Sequence, residues 1–268
     1  MKATQEHRML EYGLSEAYSN IFSFSTTRYG GYGKGKYGSF NCSPFCGDRE
    51  EDVRRNQHIL CQSLPQSLKQ LIIPKQVHGT SVGVVDKAFL SLSANWQQEA
   101  LNGIDALITA EPGYCICVST ADCVPLLLYD RQHRAVAAIH SGWRGTVEGI
   151  VTQTLEAMQK QFGTSGQKVS AIIGPGISLE SFEVGEEVYA VFKDKGFDMS
   201  RISTWKTETQ KFHIDLGQAV YEQLCVFGVR EENIEYARIC TFIRHKEFFS
   251  ARRLGINSGR ILTGIMIK

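Results

Sequence analysis

The 268-residue chain has no run of about 18 apolar residues, so no membrane-spanning helix is predicted. Its first eight residues, MKATQEHR, carry no apolar core and do not read as a secretory signal. A cytoplasmic location with no membrane partner is the expectation. The chain also lacks an excess of either charge. Its 29 Lys and Arg face 28 Asp and Glu, a net charge of +1. That balance speaks against a protein built to neutralise a nucleic-acid backbone, but it leaves room for a local basic pocket for one small anion. With 6 Pro and 25 Gly, neither a collagen pattern nor a disordered Pro/Gly chain fits. Eight cysteines are too few for a disulfide scaffold of this length. They are expected to be reduced and mostly packed as small apolar groups, with one or more left to bind metal. Repeats, low-complexity tracts, charge blocks and Pro/Ser-rich linkers are all missing, so residues 1–268 read as a single domain. Nothing reads as a coiled coil, which leaves a monomer as the default.

What is present is ordinary globular composition, 43% hydrophobic and 21% charged. Short runs rich in β-branched and aromatic residues predict strands at 21–25, 71–73, 81–85, 106–109, 114–119, 124–129, 134–140, 169–173, 234–240 and 260–267. Several are almost continuously apolar, as strands buried on both faces are. Four helices are predicted. One is capped by Asp48 and runs to about residue 63, and one is capped by Thr146. The others span 185–195 and 215–227, the last stopping at Gly228. The pattern is a mixed α/β (α+β) domain with mixed sheets and about four flanking helices. The crowding of strands between 106 and 140 leaves little room for helices and argues against a regular doubly wound fold.

Two familiar motifs fail on their context. Gly33-Lys34-Gly35-Lys36-Tyr37-Gly38 matches G-x-G-x-x-G, but a dinucleotide turn must run straight into a helix. Here Ser39-Phe40-Asn41-Cys42-Ser43-Pro44 follows, a poor helix start. Residues 30–36 approach a P-loop, yet Tyr37 stands where magnesium needs Ser or Thr. There is no H-E-x-x-H, G-x-S-x-G or C-x-x-C. Cys115 and Cys117 share one strand face and read as packing.

Three segments place chemistry at strand ends: Lys75-Gln76-Val77-His78-Gly79-Thr80, Thr120-Ala121-Asp122-Cys123-Val124-Pro125 and Ile139-His140-Ser141-Gly142-Trp143-Arg144-Gly145-Thr146. Two imidazoles and a thiolate make a three-ligand zinc site with one open position. Zinc in such a site acidifies a bound water at neutral pH. Read from spacing alone, each histidine can equally be a satisfied residue at a strand end. Asp122 lies between two apolar runs, where a carboxylate is costly unless paired.

These segments together closely resemble the multicopper polyphenol oxidase (laccase-like) family, whose members act as zinc-dependent purine nucleoside phosphorylases. The resemblance extends to Ser25-Thr26-Thr27-Arg28-Tyr29-Gly30-Gly31, Tyr37-Gly38-Ser39-Phe40-Asn41, and Gly47-Asp48 with Val53 and Asn56. It continues through 173–178, 182–185, Cys240-Thr241, Phe248-Phe249-Ser250 with Arg252-Arg253, and Gly259-Arg260. By that resemblance His78, Cys123 and His140 are zinc ligands. The implied partners are purine nucleosides and phosphate. The implied reactions are phosphorolysis of adenosine, inosine and methylthioadenosine, and deamination of adenosine. Two positions depart from the family pattern: Gln57 replaces an arginine and Ala251 replaces an aromatic residue.

Phosphorolysis needs a held phosphate, and arginine forks suit its oxygens, which points to Arg28, Arg144 and Arg252. Arg144 can instead pack on Trp143. Asn41 can line the pocket or cap a turn. Asp122 is the candidate general acid/base, or a carboxylate that hydrogen-bonds its own turn. Two other readings stand beside this one. Two His and one Cys also suit Cu2+ and phenol oxidation, although a chain with 7 His is poor in ligands for a full multicopper oxidase. A non-enzymatic, zinc-stabilised binding protein would need a fourth ligand, for which Cys240 is the candidate.

Overall fold

The computed structural model describes residues 2–3 and 8–268, with side chains from Arg8 onward; His7 lies outside the described residues. Two six-stranded mixed sheets dominate it. The first runs, edge to edge, Lys2–Ala3, Met9–Glu11, Ile21–Thr26, Ile261–Ile267, Tyr114–Thr120 and Gln70–Ile72. The second runs Ile234–Tyr236, Val169–Ile173, Val124–Asp130, Ala135–Ser141, Ala106–Thr109 and Val82–Val84. In each, an antiparallel body carries parallel edge strands: Gln70–Ile72 beside Tyr114–Thr120 in the first, and Val82–Val84 beside Ala106–Thr109 and Ile234–Tyr236 beside Val169–Ile173 in the second. A small antiparallel sheet of Glu183–Val184, Lys211–Ile214 and Ser203–Lys206 stands apart.

The alternation of side chains explains the layering. Ile116 and Val118 of the first sheet meet Leu127, Val136 and Ala138 of the second in one core. Their neighbours Cys115 and Cys117 turn the other way, toward Phe24, Leu262 and Leu60 of the helix Glu50–Ser63. Leu126, Leu128, Ala137 and Ile139 face the opposite side, toward Ile150–Phe162 and Leu216–Val226. The order is helix, sheet, sheet, helices. The central strands are apolar on both faces because each sheet is covered twice, not because they are parallel.

The four longest helices among the described residues are Glu50–Ser63, Ile150–Phe162, Glu186–Asp194 and Leu216–Val226. Asp215 caps the last by accepting from the Gln218 amide, and Gly228 closes it in a left-handed conformation. Two predicted starts differ. Asp48 accepts from the Arg49 amide, so the helix begins one residue later, with Glu50, Glu51 and Asp52 favourably placed in its first turn. Thr146 lies inside a short helix, Trp143–Val147; Gly149 at φ 81° interrupts the helical path before Ile150. The strand predicted over 234–240 stops at Tyr236, since Arg238 at φ 50° leaves the sheet. The glycine-rich segment forms a short 3-10 turn, Gly35–Tyr37, and no helix follows it directly. Among the described residues, six shorter α-helices and several short strands fell below what periodicity reveals.

Candidate metal centre

The site sits at one end of the seam between the two large sheets. Cys123 lies in the turn that carries the chain from Tyr114–Thr120 of one sheet to Val124–Asp130 of the other. His78 lies in the connection from Gln70–Ile72 to Val82–Val84, which crosses the same seam. His140 ends the inner face of Ala135–Ser141, one pleat beyond Ala138, and pairs with Pro125 across the ladder. Donor atoms of these three side chains lie within 4.8 Å of one another, so the group can hold a metal ion. Tetrahedral zinc with bonds of about 2.0–2.3 Å spaces its donors by about 3.3–3.8 Å, which this cluster accommodates. The two imidazoles meet edge to face, 4.7 Å between centroids.

Local backbone makes the approach possible. His78 and Asp122 take φ 63° and 88°, left-handed values rare for residues with a side chain. Gly142 closes the third side. A Cβ there would stand 3.0 Å from Cys123 Sγ and 3.0 Å from a His78 ring carbon, so a methyl group fits only if the ligands give way by a few tenths of an ångström.

Asp105 supports the cluster from below. The residue precedes Ala106–Thr109 and is fully buried. Its Oδ1 accepts from His140 Nδ1 at 2.8 Å and from the His78 amide at 2.9 Å. Its Oδ2 accepts from the Gly79 and Val77 amides at 2.8 and 3.2 Å. The Nδ1 bond leaves His140 Nε2 for a metal. Burial pushes the Asp105 carboxyl up, but the His140 bond and charge and the loop amides outweigh it and hold the group below its ordinary range. Burial also raises the Cys123 thiol, yet His140 and His78 bring it down to about 6. His140 is the mirror case: burial opposes its charge, while the Cys123 sulfur and Asp105 hold it up at about 9. The sulfur is thus the better ligand form already, a thiolate near neutral pH.

A cavity of about 700 Å3 opens over the cluster. Phe45, Trp143, Ile177, Phe182 and Ile256 supply apolar wall, and Gln76, Asp122, Arg252 and Arg260 supply polar groups. Thr120 Oγ1 and Ser119 Oγ, on the same wall, are buried without a hydrogen-bond partner. Buried hydroxyls without partners are uncommon in folded proteins and are a mark of sites that complete themselves with a ligand or water.

The sequence matches the family described as multi-copper polyphenol oxidoreductase laccase over residues 22–268. The chain belongs to this family. A Bacteroides thetaiotaomicron protein named purine nucleoside phosphorylase is 59% identical over 264 residues, covering 98% of each chain. A protein named adenosine deaminase RL5, from an unknown prokaryotic organism, is 40% identical over 254 residues, 95% of this chain and 97% of that one. The crystal structure of a Bacillus licheniformis hypothetical protein, YfiH, superposes with a TM-score of 0.90 at 24% identity, covering 100% of this chain and 98% of that one; it bears on the fold.

In this member of the laccase family, the structure brings together His78, Cys123 and His140, with Asp122 and Arg252 on the same cavity. It does not bring in three other candidates. Arg28 lies outside the cavity, its guanidinium bonded to the Gly38 and His245 carbonyls and stacked on Phe249. Arg144 is exposed and lies over Trp143, 4.3 Å from the ring centroid, off the cavity wall. Asn41 is fully buried behind the wall, where Oδ1 accepts the Arg260 amide and Nδ2 reaches Asp48. Asp122 is tied at both oxygens, to the Thr241 hydroxyl at 2.7 Å and the Arg252 amide at 2.7 Å. Cys240 is not a fourth ligand: its sulfur accepts from the Ser178 amide and pairs with the Ser181 hydroxyl, outside the cluster. Gln57 donates to the Cys42 carbonyl and does not reach the cavity, whereas Ala251 lines it. Cys115 and Cys117 pack together behind the first sheet, sulfurs 3.7 Å apart. Sequence reasoning missed Asp105 and Arg260 as site residues. A lone aspartate placed directly before the apolar run Ala106-Leu107-Ile108 was the available signal for Asp105.

Proposed function

We propose that this protein is a purine nucleoside phosphorylase, acting on adenosine, inosine and S-methyl-5'-thioadenosine, with adenosine deaminase activity at a His2Cys zinc site. The observation that carries the reading is the His78–Cys123–His140 cluster opening on a cavity that combines aromatic wall with two arginines. The names of the two relatives, one a phosphorylase and one a deaminase, support the same pair of reactions. Such an enzyme needs no membrane, and no helix among the described residues is long and apolar enough to cross one. A cytoplasmic enzyme working as a monomer is the simplest form of the proposal.

Zinc held by His78, Cys123 and His140 would supply Lewis acidity and an acidified water beside the purine. The rest of the chemistry falls to side chains of the chain. Phe45, Trp143 and Phe182 give the flat purine an apolar bed from which its faces displace water. Arg252 spends one N–H of each terminal nitrogen on the Glu183 carbonyl and keeps three donors for phosphate oxygens. Arg260 is braced by the Ser258, Gly259 and Ile256 carbonyls, which aim it before any anion arrives. A phosphate on these forks would be aimed at the anomeric carbon. Asp122, fixed by Thr241 and the Arg252 amide, is the carboxylate to which this reading gives the proton transfer at the purine.

Zinc-loaded protein is to be incubated with adenosine, with and without phosphate, beside Cys123→Ala. Adenine and ribose 1-phosphate that need phosphate establish the phosphorylase; inosine formed without phosphate establishes the deaminase. The absence of both products above the Cys123→Ala background refutes the reading.

The donor set also favours a second reading, copper-dependent phenol oxidation, since His2Cys is the equatorial set of blue-copper sites. Stoichiometric Cu2+ with strong blue absorbance and phenol turnover, absent with zinc, would put that reading first.

A further inference from the structure

We propose that Asp105 is the positioning residue of the metal centre, fixing two of its three ligands at once, and that only a carboxylate can do this. The inference rests on reading His78, Cys123 and His140 as a metal site and adds what sets their orientation.

The two oxygens divide the work. Oδ1 takes the His140 ring N–H and the His78 amide; Oδ2 takes the Gly79 and Val77 amides. Three successive amides thus wrap one carboxylate, an anion-binding nest made by the chain itself. That nest holds His78 at φ 63° and so presents its ring to the cluster. The backbone carbonyl of Asp105 also accepts the His140 amide at 2.8 Å, which fixes the distance between the two strands just below the ligands. All four groups facing the side chain are donors. A group that must accept from all of them cannot itself carry a hydrogen.

Asparagine makes the point, because it matches the shape and fails either way round. With its oxygen toward His140, the amide NH2 meets the Val77 and Gly79 N–H groups, donor against donor, and the His78 turn loses its hold. With the NH2 toward His140, Nδ1 must become an acceptor. The ring proton then moves to Nε2, the atom left for the metal.

The test is zinc affinity by chelator competition, with a cobalt titration read by absorbance, on wild type, Asp105→Asn and Cys123→Ala. Asp105→Asn is expected to bind zinc about 10–100-fold more weakly. It should keep the thiolate-to-cobalt band, because Cys123 is untouched. A folded Asp105→Asn protein with wild-type affinity, beside a Cys123→Ala protein that has lost its metal, overturns the proposal and leaves the metal centre standing. Wild type and Cys123→Ala binding zinc alike overturns the metal centre, and the proposal with it. If Asp105→Asn does not fold, nitrogen-15 spectra of zinc-loaded wild type decide. The His140 proton is expected on Nδ1 with zinc on Nε2; zinc on Nδ1 refutes the role assigned to Asp105.

Discussion

Gly142→Ala isolates the geometry of the metal centre from the stability of the fold. The backbone at this position, φ −78° and ψ 165°, is one that alanine adopts without strain. Gly142 precedes a five-residue helix, so a methyl group there costs at most about 1 kcal/mol through poorer capping. The new Cβ is the problem. It would sit 3.0 Å from Cys123 Sγ and 3.0 Å from His78 Cδ2, where ordinary contact begins near 3.4 Å. Each ligand must retreat by roughly 0.4 Å, and metal sites tolerate deviations of only about 0.2 Å. The His78 backbone is held by Asp105 and Cys123 follows the left-handed Asp122, so the side chains can retreat only by turning away from the metal position. A weakening of zinc binding by about 10–100-fold follows, or about 1.4–2.7 kcal/mol. Chelator competition measures that loss, and a melting curve of the metal-free protein measures the fold separately. A Gly142→Ala protein with wild-type zinc affinity and turnover would refute the close approach of Gly142 to the ligands, and with it the cluster as described.

The remaining predictions concern charge and hydrogen bonding around the same cavity. With Cys123 brought to about 6 and His140 held at about 9, zinc must displace one proton between those values, from the imidazole. Zinc affinity should therefore rise about tenfold per pH unit from pH 6 to 9 and level off above it; a flat profile in metal-buffered titrations contradicts the assignment. For the metal-free fold the two groups oppose each other. Stability from the depressed thiol grows as pH rises from about 6 toward its ordinary 9.0, while stability from the raised imidazole falls as pH rises from its ordinary 6.5 toward about 9. The pair should leave the melting temperature nearly level across that window. Arg252→Met keeps the backbone bond to Asp122 but removes the fork, and should raise KM for phosphate about 10–100-fold while deamination without phosphate changes little. Arg144→Ala, lying over Trp143 away from the cavity, should leave both reactions within about twofold; a larger loss would return Arg144 to the site. Thr241→Val deprives Asp122 of one buried donor, and about 1.5–3 kcal/mol of stability should go with it. Should Asp122 carry a proton, kcat falls too while KM holds.

Much of the fold was legible because its strands are short, apolar and bounded by turns. The strands Ala106–Thr109 and Val169–Ile173 fall where hydrophobic runs predict them. Four long helices announce themselves by their apolar faces and, for Leu216–Val226, by a capping aspartate and a terminal glycine. Helices of four or five residues, such as Trp143–Val147 and Ala251–Leu254, carry too little periodicity to be seen. The site was legible in part for a different reason. His78, Cys123 and His140 stand in motifs whose small neighbours mark tight turns, but 45 residues separate the first two, and only the folded chain brings them within 4.8 Å. The arginines were the hardest to assign. A guanidinium near a motif looks alike in sequence whether it faces the cavity, as Arg252 does, or is held against main-chain carbonyls away from it, as Arg28 is. Asp105 escaped because three of its four side-chain partners are amides, which leave no residue-type signature.

The position of the centre follows from how the two sheets are joined. A chain crossing from one stacked sheet to the next must turn sharply at the sheet end, and those turns lack ladder partners for their own amides. Here two such crossings lie side by side, at 73–81 and 121–123. One is satisfied by Asp105, which gathers three amides of the His78 turn. In the other, Asp122 at φ 88° carries the chain past the seam and is anchored to Thr241 and the Arg252 amide. The carboxylates that make the crossings affordable therefore stand directly under and beside the ligands. The strain of two left-handed residues is held by the same hydrogen bonds that orient His78 and Cys123, so loosening either crossing should relax the fold locally and the metal geometry together. Hydrogen exchange at the Val77, His78 and Gly79 amides reads that coupling directly. Their protection should rise on zinc binding in wild type, and equal protection with and without zinc would separate the crossing from the centre.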